Sequence, residues 1–447
     1  MNIGIVGAGV AGLTAAYELT KRGHRVTVFE AAPQVGGLAS GFKDERWEWP
    51  LDRFYHHWFA SDDQVIGLIE ELGLGEKVFF PRPVTAIWHQ GRAYPFDSPL
   101  AVLRFPHLSP LPKLRLGLVT LYLRLTRNWR PLERVTAHGW LSRAMGRRAY
   151  EAVWEPLLAG KFGQDYQRVN MAWFWARIKK RSPRLGYFEG GFQAFVDALA
   201  ERVREQGGEI RLNTPVRHIV VEDGRAVGVR AGAQHAAPLR LDEVIATVSP
   251  RTLLELAPDL PEGYAAQLRQ LRSLGALVLV LALDRPLTEG HYWINLPQGE
   301  FPFLVLVEHT NYIGPERYGG DHLVYLGHYP PPSHPYFRAS KEELLSLFLP
   351  SLRRFNPAFD PSWVRASWLF REPYAQPVPL LNHSRLIPDL VTPIRGLYWA
   401  SMSQVYPWDR GTNYAVELGR RVAALADEFE KTGILWYKGK LQVPSSK

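Results

Sequence analysis

The sequence predicts an α/β fold in which a domain built on a parallel sheet is interrupted by inserted segments of a second, α+β domain. A strand, a glycine-rich turn, a helix and another strand follow one another over residues 3–30. A further helix with several strands occupies residues 192–248, and a strand, a loop and a helix span residues 396–419. At 447 residues, the chain is longer than one ordinary hydrophobic core requires.

Residues 7–12 have the glycine pattern of a dinucleotide-binding turn. A buried strand over residues 3–6 leads directly into the turn, and a helix follows it. Gly7 permits the tight turn, Gly9 lets the backbone approach a pyrophosphate, and Gly12 lets the helix pack closely on the strand. This order predicts a Rossmann-type dinucleotide site, and a chance glycine turn is the alternative.

Two further features of this unit suit a bound dinucleotide. The helix begins near Val10 and Ala11, where free backbone N–H groups and the positive end of the helix dipole attract phosphate. Glu30 follows the second strand, and we expect it to accept hydrogen bonds from the adenosine ribose. Ala31 is expected to line the same part of the cofactor.

A second glycine pair, Gly36 and Gly37, begins six residues after Glu30. An NAD domain does not need this pair, whereas a chain that passes close to the ribityl and pyrophosphate of a larger cofactor does. The predicted cofactor is therefore FAD. We expect Leu38 and Ala39, which come next, to line it as well.

With these motifs the N-terminus resembles the flavin-containing amine oxidase superfamily, whose members begin with a strand, G-x-G-x-x-G and then E-x₅-G-G. Protoporphyrinogen oxidases, phytoene desaturases and UDP-galactopyranose mutases are the most similar branches. Leu38 stands where the amine oxidases proper usually have arginine, which argues against that branch. The resemblance implies a Rossmann-type, GR2-like FAD-binding domain with a substrate domain inserted in segments.

The resemblance implies cofactor contacts farther along the chain. Residues 52–62 resemble the H-x-F loop that mutases and desaturases place over the isoalloxazine ring, which makes His57 the expected ring neighbour. A structural pair with His56 is the alternative. No carboxylate is spaced to orient His57 as a base, so we expect it to position the flavin and not to carry protons. Val216 matches backbone that clasps adenine, and Thr247 begins the exit from the FAD domain.

The C-terminal strand, loop and helix resemble the way the superfamily closes its FAD site. We assign backbone groups near Thr412, Asn413 and Tyr414, at the start of the helix, to the pyrimidine edge of the flavin. A positive helix end there stabilises the N1/O2 anion of the reduced ring. Asp409 in the loop is expected to reach the ribityl chain or a phosphate-bound water. An ordinary capped surface helix is the alternative.

The cofactor segments divide the chain. The predicted FAD-binding domain comprises residues 1–60, 188–248 and 390–430, the substrate domain comprises residues 61–187 and 249–389, and a C-terminal tail covers residues 431–447. We expect a mixed sheet with a helical layer in the second half of the substrate domain. Arg371 and Tyr374 precede the last FAD segment and are predicted to contact the substrate.

Residues 111–129 form an amphipathic pattern with leucine and aromatic side chains on one face and basic ones on the other. Two interpretations remain open. The helix covers the core of the substrate domain, or it lies on a membrane surface. Similarly, Lys161 and Arg177 beside an aromatic run either line a pocket for a large apolar ligand with an anionic group, or are surface cations over an aromatic core.

Composition narrows the function. The net charge of +9 suits anionic lipid or a phosphorylated substrate, and no nucleic-acid module is present. The chain has no cysteine, which excludes disulfides and thiolate chemistry, and no metal site is expected. We predict a cytoplasmic oxidoreductase that moves a hydride from an apolar small molecule to flavin N5, with contact to the inner face of the membrane left open, as is the oligomeric state. A redox-neutral mutase and a non-catalytic FAD-binding protein are the alternatives.

Overall fold

The computed structural model describes residues 1–232, 237–432, 435–437 and 440–442. Most of the predicted tail, residues 431–447, therefore lies outside the described residues. The strands are β1 (Asn2–Val6), β2 (Arg25–Phe29), β3 (Gly41–Phe42), β4 (Leu51–Asp52), β5 (Trp58–Phe59), β6 (Val78–Phe79), β7 (Val84–His89), β8 (Arg92–Pro95), β9 (Leu185–Phe188), β10 (Glu209–Arg211), β11 (Val216–Glu222), β12 (Arg225–Ala231), β13 (Leu239–Arg240), β14 (Glu243–Ala246), β15 (Ser273–Leu283), β16 (His291–Asn295), β17 (Val305–Glu308), β18 (His322–His328), β19 (Val364–Pro377), β20 (Leu397–Trp399), β21 (Leu435–Tyr437) and β22 (Lys440–Gln442).

The α-helices are α1 (Val10–Lys21), α2 (Asp63–Glu71), α3 (Pro99–Arg104), α4 (Pro110–Leu125), α5 (Ala137–Met145), α6 (Arg147–Ala149), α7 (Glu155–Phe162), α8 (Met171–Lys180), α9 (Gly191–Glu205), α10 (Pro250–Leu256), α11 (Glu262–Gln270), α12 (Lys341–Phe348) and α13 (Thr412–Thr432). Short 3₁₀ turns lie between several of them.

A parallel sheet of five strands, in the order β10-β2-β1-β14-β20, confirms the α/β prediction. All five strands fall inside the three segments predicted to hold the cofactor, although the division into domains stays a prediction. Helix α13 packs closely on α1, because a Cβ atom on Gly419 would lie 2.5 Å from the Ala11 carbonyl oxygen. The first and last helices of the described chain therefore support the same sheet.

A mixed sheet of seven strands, in the order β19-β15-β18-β17-β16-β7-β8, forms the second layer of the molecule. Its strands pair antiparallel except for β16 and β7, which are parallel. Helix α12 packs against β15, so the mixed sheet with a helical layer is as predicted. Strands β7 and β8 come from the first inserted segment, which therefore contributes to the same sheet as the second.

Helix α4 does not bury its leucine stripe, and the core interpretation of that stripe is wrong. The side that packs on the protein bears Leu116 and Leu123, which are 4% and 0% exposed. The predicted apolar face points outward, with exposures of 73% for Leu111, 60% for Leu114, 59% for Leu118, 53% for Leu121, 55% for Tyr122 and 69% for Leu125. Within the described residues, no helix is both long enough and apolar enough to cross a bilayer.

Candidate active site

The glycine-rich turn has the geometry that a dinucleotide requires. Gly7 adopts φ +104°, a conformation that favours glycine, and its N–H donates to the Phe29 carbonyl at 2.8 Å. A Cβ atom on Gly12 would lie 2.0 Å from the Gly7 carbonyl oxygen, so only glycine lets α1 approach this closely. No side chain caps the N-terminus of α1 and its first turn has no acidic residue, which leaves this positive helix end available to an anion.

The second glycine pair lies directly on the first turn. The Gly36 N–H donates to the Ala8 carbonyl at 2.9 Å, and a Cβ atom on Gly37 would lie 3.3 Å from the Gly9 Cα. Gly36 and Gly37 have φ values of +120° and +56°. Leu38 and Ala39 continue from this pair in a short 3₁₀ turn. The two glycine motifs, at least 24 residues apart in sequence, thus form one cradle of backbone. Its glycines have no side chains that would fill it.

Glu30 and its neighbours lie at the carboxyl ends of the parallel strands, where ligands of such sheets bind. The Glu30 carboxylate accepts hydrogen bonds from the N–H groups of Ala8, at 2.7 Å, and Ala32, at 2.8 Å, and Ala31 lies between Glu30 and Ala32 in the sequence. The Thr214 N–H donates to the Glu30 carbonyl, which places the start of β11 at Val216 close by.

Thr247, just beyond β14, borders the same turn. Its hydroxyl donates to the Val6 carbonyl at 2.9 Å, and a Cβ atom on Gly7 would lie 2.7 Å from Thr247 Oγ1. The structure therefore brings Thr247 beside the glycine cradle. Whether it contacts the cofactor stays a prediction.

The start of α13 is joined to the loop that contains His57. The Trp58 indole N–H donates to Thr412 Oγ1 at 2.6 Å, and Asn413 Oδ1 accepts from the N–H groups of Gln64 and Val65 at the start of α2. The side chains of Thr412 and Asn413 are therefore engaged in the protein. The first turn of α13 has no acidic residue, so its backbone N–H groups remain suited to the predicted role, while Tyr414 stacks on Trp408 with ring centroids 6.0 Å apart.

A family model for flavin containing amine oxidoreductases matches residues 10–426. The chain belongs to this family. Family membership implies a flavin cofactor, and the cradle fits one, because two glycine motifs and an uncapped helix end leave room for its phosphates.

Relatives of this family member include enzymes with different substrates. The chain is 26% identical over 257 residues to a mitochondrial protoporphyrinogen oxidase of Nicotiana tabacum, covering 48% of this chain and 50% of that enzyme. It therefore spans only half the length of this relative. It is 23% identical over 323 residues to a 15-cis-phytoene desaturase of Synechococcus elongatus, covering 65% and 67%. An oxidoreductase structure from Methanosarcina mazei shares the fold with a TM-score of 0.73 at 20% identity, covering 95% of this chain and 100% of that one.

In this family member, His57 lies among aromatic rings and lacks a described hydrogen-bond partner for its buried Nδ1 atom. The ring centroid is 5.4 Å from that of Phe59 and 6.0 Å from that of Trp293. Burial, followed by the positive charge of Arg181, lowers the pKa of His57 to about 3, so the ring is neutral at physiological pH. His56 differs, because its Nδ1 is bonded to the Phe54 carbonyl, so the structural interpretation fits His56 better than His57.

Asp409 is held by cations of the first inserted segment. Its Oδ2 lies 2.6 Å from Lys161 Nζ and 2.8 Å from Arg177 Nη1, and its Oδ1 accepts from the Trp173 indole at 3.1 Å. Burial alone would raise the pKa of Asp409, but Lys161, Arg177 and Arg410 together hold it far below its usual range. The predicted ribityl contact stays a prediction, and sequence analysis missed these ion pairs.

The two predicted substrate residues have different surroundings. Tyr374 Oη lies 2.8 Å from Ser401 Oγ and 2.6 Å from Ser403 Oγ, so it reaches the carboxyl end of β20 in the parallel sheet. Arg371 instead donates to the backbone carbonyls of Tyr336 and Ala339, next to α12. This placement argues against the substrate contact predicted for Arg371, because alternate residues of a strand face opposite sides of the sheet and its neighbour Phe370 faces the N-terminal segment.

Proposed function

We propose that this family member binds FAD and oxidises a small molecule with an apolar body. The observation that supports the proposal most directly is the cradle in which Gly9 meets Gly36 and Gly37, with Glu30 beside it. A carboxylate at the end of the second parallel strand suits the ribose of an adenosine, which FAD contains and FMN lacks. The adenosine part therefore distinguishes the two flavins.

The chain contributes binding and orientation, while a bound flavin supplies the hydride acceptor. The end of α1 would hold the pyrophosphate, and the end of α13 would face the electron-rich edge of the ring. The neutral His57 ring would position the flavin, because hydride transfer depends on geometry within about 3–3.5 Å.

Aromatic side chains beside His57 suit an apolar substrate. Tyr55 packs edge-on against Trp293 with ring centroids 4.9 Å apart, and its hydroxyl donates to the Tyr329 hydroxyl at 2.8 Å. We call Tyr55, Trp293 and Tyr329 the aromatic wall. Burial raises the pKa of Tyr55 well above its usual value, so this hydroxyl stays neutral and serves as packing surface and hydrogen-bond donor.

The purified protein is expected to be yellow and to release FAD on denaturation, with no FMN. Glu30→Ala should weaken FAD binding by about 1.5–3 kcal/mol, because a charged hydrogen bond is lost. An anaerobic panel of candidate reductants should bleach the flavin, and oxygen or a quinone should restore its colour. A colourless protein that cannot be reconstituted with FAD would contradict the proposal, and binding without any turnover would favour the non-catalytic alternative.

A redox-neutral mutase is a second candidate, and one observation favours it. Lys161, Arg177 and Arg410 all lie near a single carboxylate, Asp409. A diphosphate substrate would require such an excess of cations. A mutase would convert its substrate only after the flavin had been reduced beforehand, with no net consumption of reductant. An oxidase or desaturase would consume one acceptor for each turnover.

We further propose that α3 and α4 bind an anionic membrane surface. Leu100 and Leu103 of α3, at 54% and 63% exposure, extend the apolar face of α4. Between residues 98 and 132 the sequence contains no aspartate or glutamate, and its basic residues are Arg104, Lys113, Arg115, Arg124, Arg127 and Arg130. An exposed apolar face on a segment whose charged side chains are all basic is complementary to anionic lipid.

The double substitution Leu118→Asp and Leu121→Asp should abolish co-sedimentation with vesicles that contain anionic phospholipid. Both side chains are more than half exposed, so the variant should remain folded and keep its flavin. The matched control is Leu347→Asp with Leu381→Asp, at leucines that are 48% and 41% exposed outside α3 and α4, and it should bind vesicles as wild type does. Equal binding by both double variants would contradict the membrane proposal.

A further inference from the structure

A group of cations lies next to the predicted flavin neighbour His57 and exceeds the acidic groups that balance it. We define the cation cluster as Lys161, Arg177, Arg181 and Arg410. Lys161 and Arg177 both contact Asp409, while the Arg410 Nε donates to the neutral Gln376 side chain at 3.0 Å. Among the described residues, two of these four cations, Lys161 and Arg177, form ion pairs, and they share the same carboxylate.

Arg181 is the member with no partner. Among the described residues, its guanidinium has no hydrogen bond and no ion pair, although the side chain is only partly exposed. Asp97 is near enough to influence the pKa of Arg181 but does not pair with it. Even with Asp97 counted, the three arginines and Lys161 face two carboxylates, so positive charge is in excess, by two charges when Lys161 is protonated.

The positive charges of this cluster are unfavourable without a bound anion. Burial and nearby Arg177 lower the pKa of Arg181 to about 10. Burial also lowers the pKa of Lys161 to about 7 although the charge of Asp409 raises it, and Arg177 and Arg410 lower it further. Desolvated charges that lack a partner cost free energy, and a bound anion removes that cost.

The cluster adjoins the surface on which an apolar body would lie. Arg410 lies over the Tyr329 ring at 5.6 Å from its centroid, and Tyr329 belongs to the aromatic wall beside His57. Arg177 and Lys161 lie over the ring of Trp173 at 5.3 Å and 5.1 Å. An apolar wall bordered by cations suits an amphiphilic molecule with an anionic end.

We infer that the cation cluster binds a phosphate or diphosphate group of the substrate, with Arg181 as a direct ligand. The inference rests on the proposed flavin function and names the class of substrate: an organic phosphate whose apolar portion contacts the aromatic wall. Two surplus charges match the charge of a phosphate ester or diphosphate, and guanidinium groups bind phosphate oxygens through paired hydrogen bonds.

Such a phosphate can come from solution or from a lipid. Arg181 lies where the end of α4 meets the end of α8, because the Arg124 guanidinium donates to the Arg181 carbonyl at 3.2 Å and the Trp175 indole donates to the Thr126 carbonyl at 3.1 Å. The anion site is therefore close to the proposed membrane surface, so a lipid-linked phosphate can reach it as readily as a nucleotide-linked one.

The test uses flavin-loaded protein, so that the cofactor's own pyrophosphate cradle is occupied. Calorimetry with inorganic pyrophosphate and with UDP reports on soluble anions, and co-sedimentation with neutral phosphatidylcholine vesicles, with or without polyprenyl phosphate, reports on a lipid source. Arg181→Gln should weaken binding of whichever probe binds wild type by at least tenfold, the loss expected for one charged hydrogen bond. Arg184→Gln, an exposed arginine three residues away, should bind as wild type.

The outcomes separate this inference from the flavin proposal. Binding of pyrophosphate and UDP supports a soluble phosphate, and binding only of vesicles with polyprenyl phosphate supports a lipid-linked one. Flavin-loaded wild type that binds none of the probes, or an Arg181→Gln variant that binds as tightly as wild type, overturns the inference and leaves the flavin proposal intact. Purified protein that contains no flavin contradicts the proposed function instead. The flavin content is measured by absorbance before any titration.

Discussion

Gly12→Ala is expected to reduce flavin loading more than tenfold. The added methyl group would lie 2.0 Å from the Gly7 carbonyl oxygen and 3.0 Å from Thr247 Oγ1. Backbone cannot yield as a flexible side chain does, so α1 must move away from the turn, at a cost of about 1–3 kcal/mol or more. This displaces the helix end that would hold the pyrophosphate. The ratio of flavin to protein absorbance and the thermal unfolding midpoint measure the two effects.

Gly67→Ala provides the control for this prediction. Gly67 also lies within a helix, α2, but a Cβ atom there meets no atom within 4 Å. The change should leave flavin loading unaltered and stabilise the protein by about 0.5–1 kcal/mol, since glycine weakens a helix. Normal loading by Gly12→Ala would show that close approach of α1 to the turn is not required for the cofactor.

Asp52→Asn is expected to remove the loss of stability that ionisation of Asp52 causes between pH 4 and pH 7. The Asp52 side chain is 1% exposed, and it accepts hydrogen bonds from the Tyr187 hydroxyl at 3.0 Å and the Phe192 N–H at 3.2 Å. Burial raises the pKa of Asp52 to about 7 despite these two bonds. Because the folded pKa exceeds the unfolded one, the folded state holds the proton more tightly, and stability falls as pH rises through this window by up to ~4 kcal/mol.

Asparagine stays neutral at every pH, so the variant should gain stability relative to wild type as pH rises through this window and be more stable than wild type at pH 8. Urea unfolding at pH 4.5, 6 and 8 measures the difference, and comparison with wild type cancels the other titrating groups. Asp223→Asn is the control, because Asp223 is exposed in a turn at φ +49°, a conformation that asparagine tolerates. Parallel pH profiles for Asp52→Asn and wild type would show that Asp52 ionises without cost.

The cofactor cradle could be predicted from the sequence because a G-x-G-x-x-G turn followed by a second glycine pair is rarely needed except where the backbone closely approaches a ligand. The bounds of α12, Lys341–Phe348, were equally accessible, since Ser340 and Glu343 form a capping box at its start. The buried face of helix α4 could not be predicted from the sequence. A stripe of leucines has the same period whether it faces a core or a membrane, and only tertiary packing decides which of its sides is buried.

Contacts between distant segments also could not be predicted from the sequence. Lys161 and Asp409 are 248 residues apart, and nothing local to either marks the partner. Lys161 and Arg177 could be recognised as candidates for an anionic group, but the unpaired Arg181 could not, because a partner's absence is visible only once the chain is folded. The substrate contact of Arg371 stays a prediction, and its side-chain direction was hard to foresee for a local reason, since a single step along a strand moves a side chain to the opposite face.

The order of strands in the parallel sheet has a consequence for the growing chain. β1 and β2 leave the ribosome early, but β14 and β20, which complete their sheet, lie beyond residues 242 and 396. The sheet edge at β1 therefore stays unpaired until β14 has been made, and α13, which packs on α1, follows later still. A chain stopped before α13 would have the glycine cradle without the helix that packs on α1, so cofactor capture is expected to wait until α13 has been made.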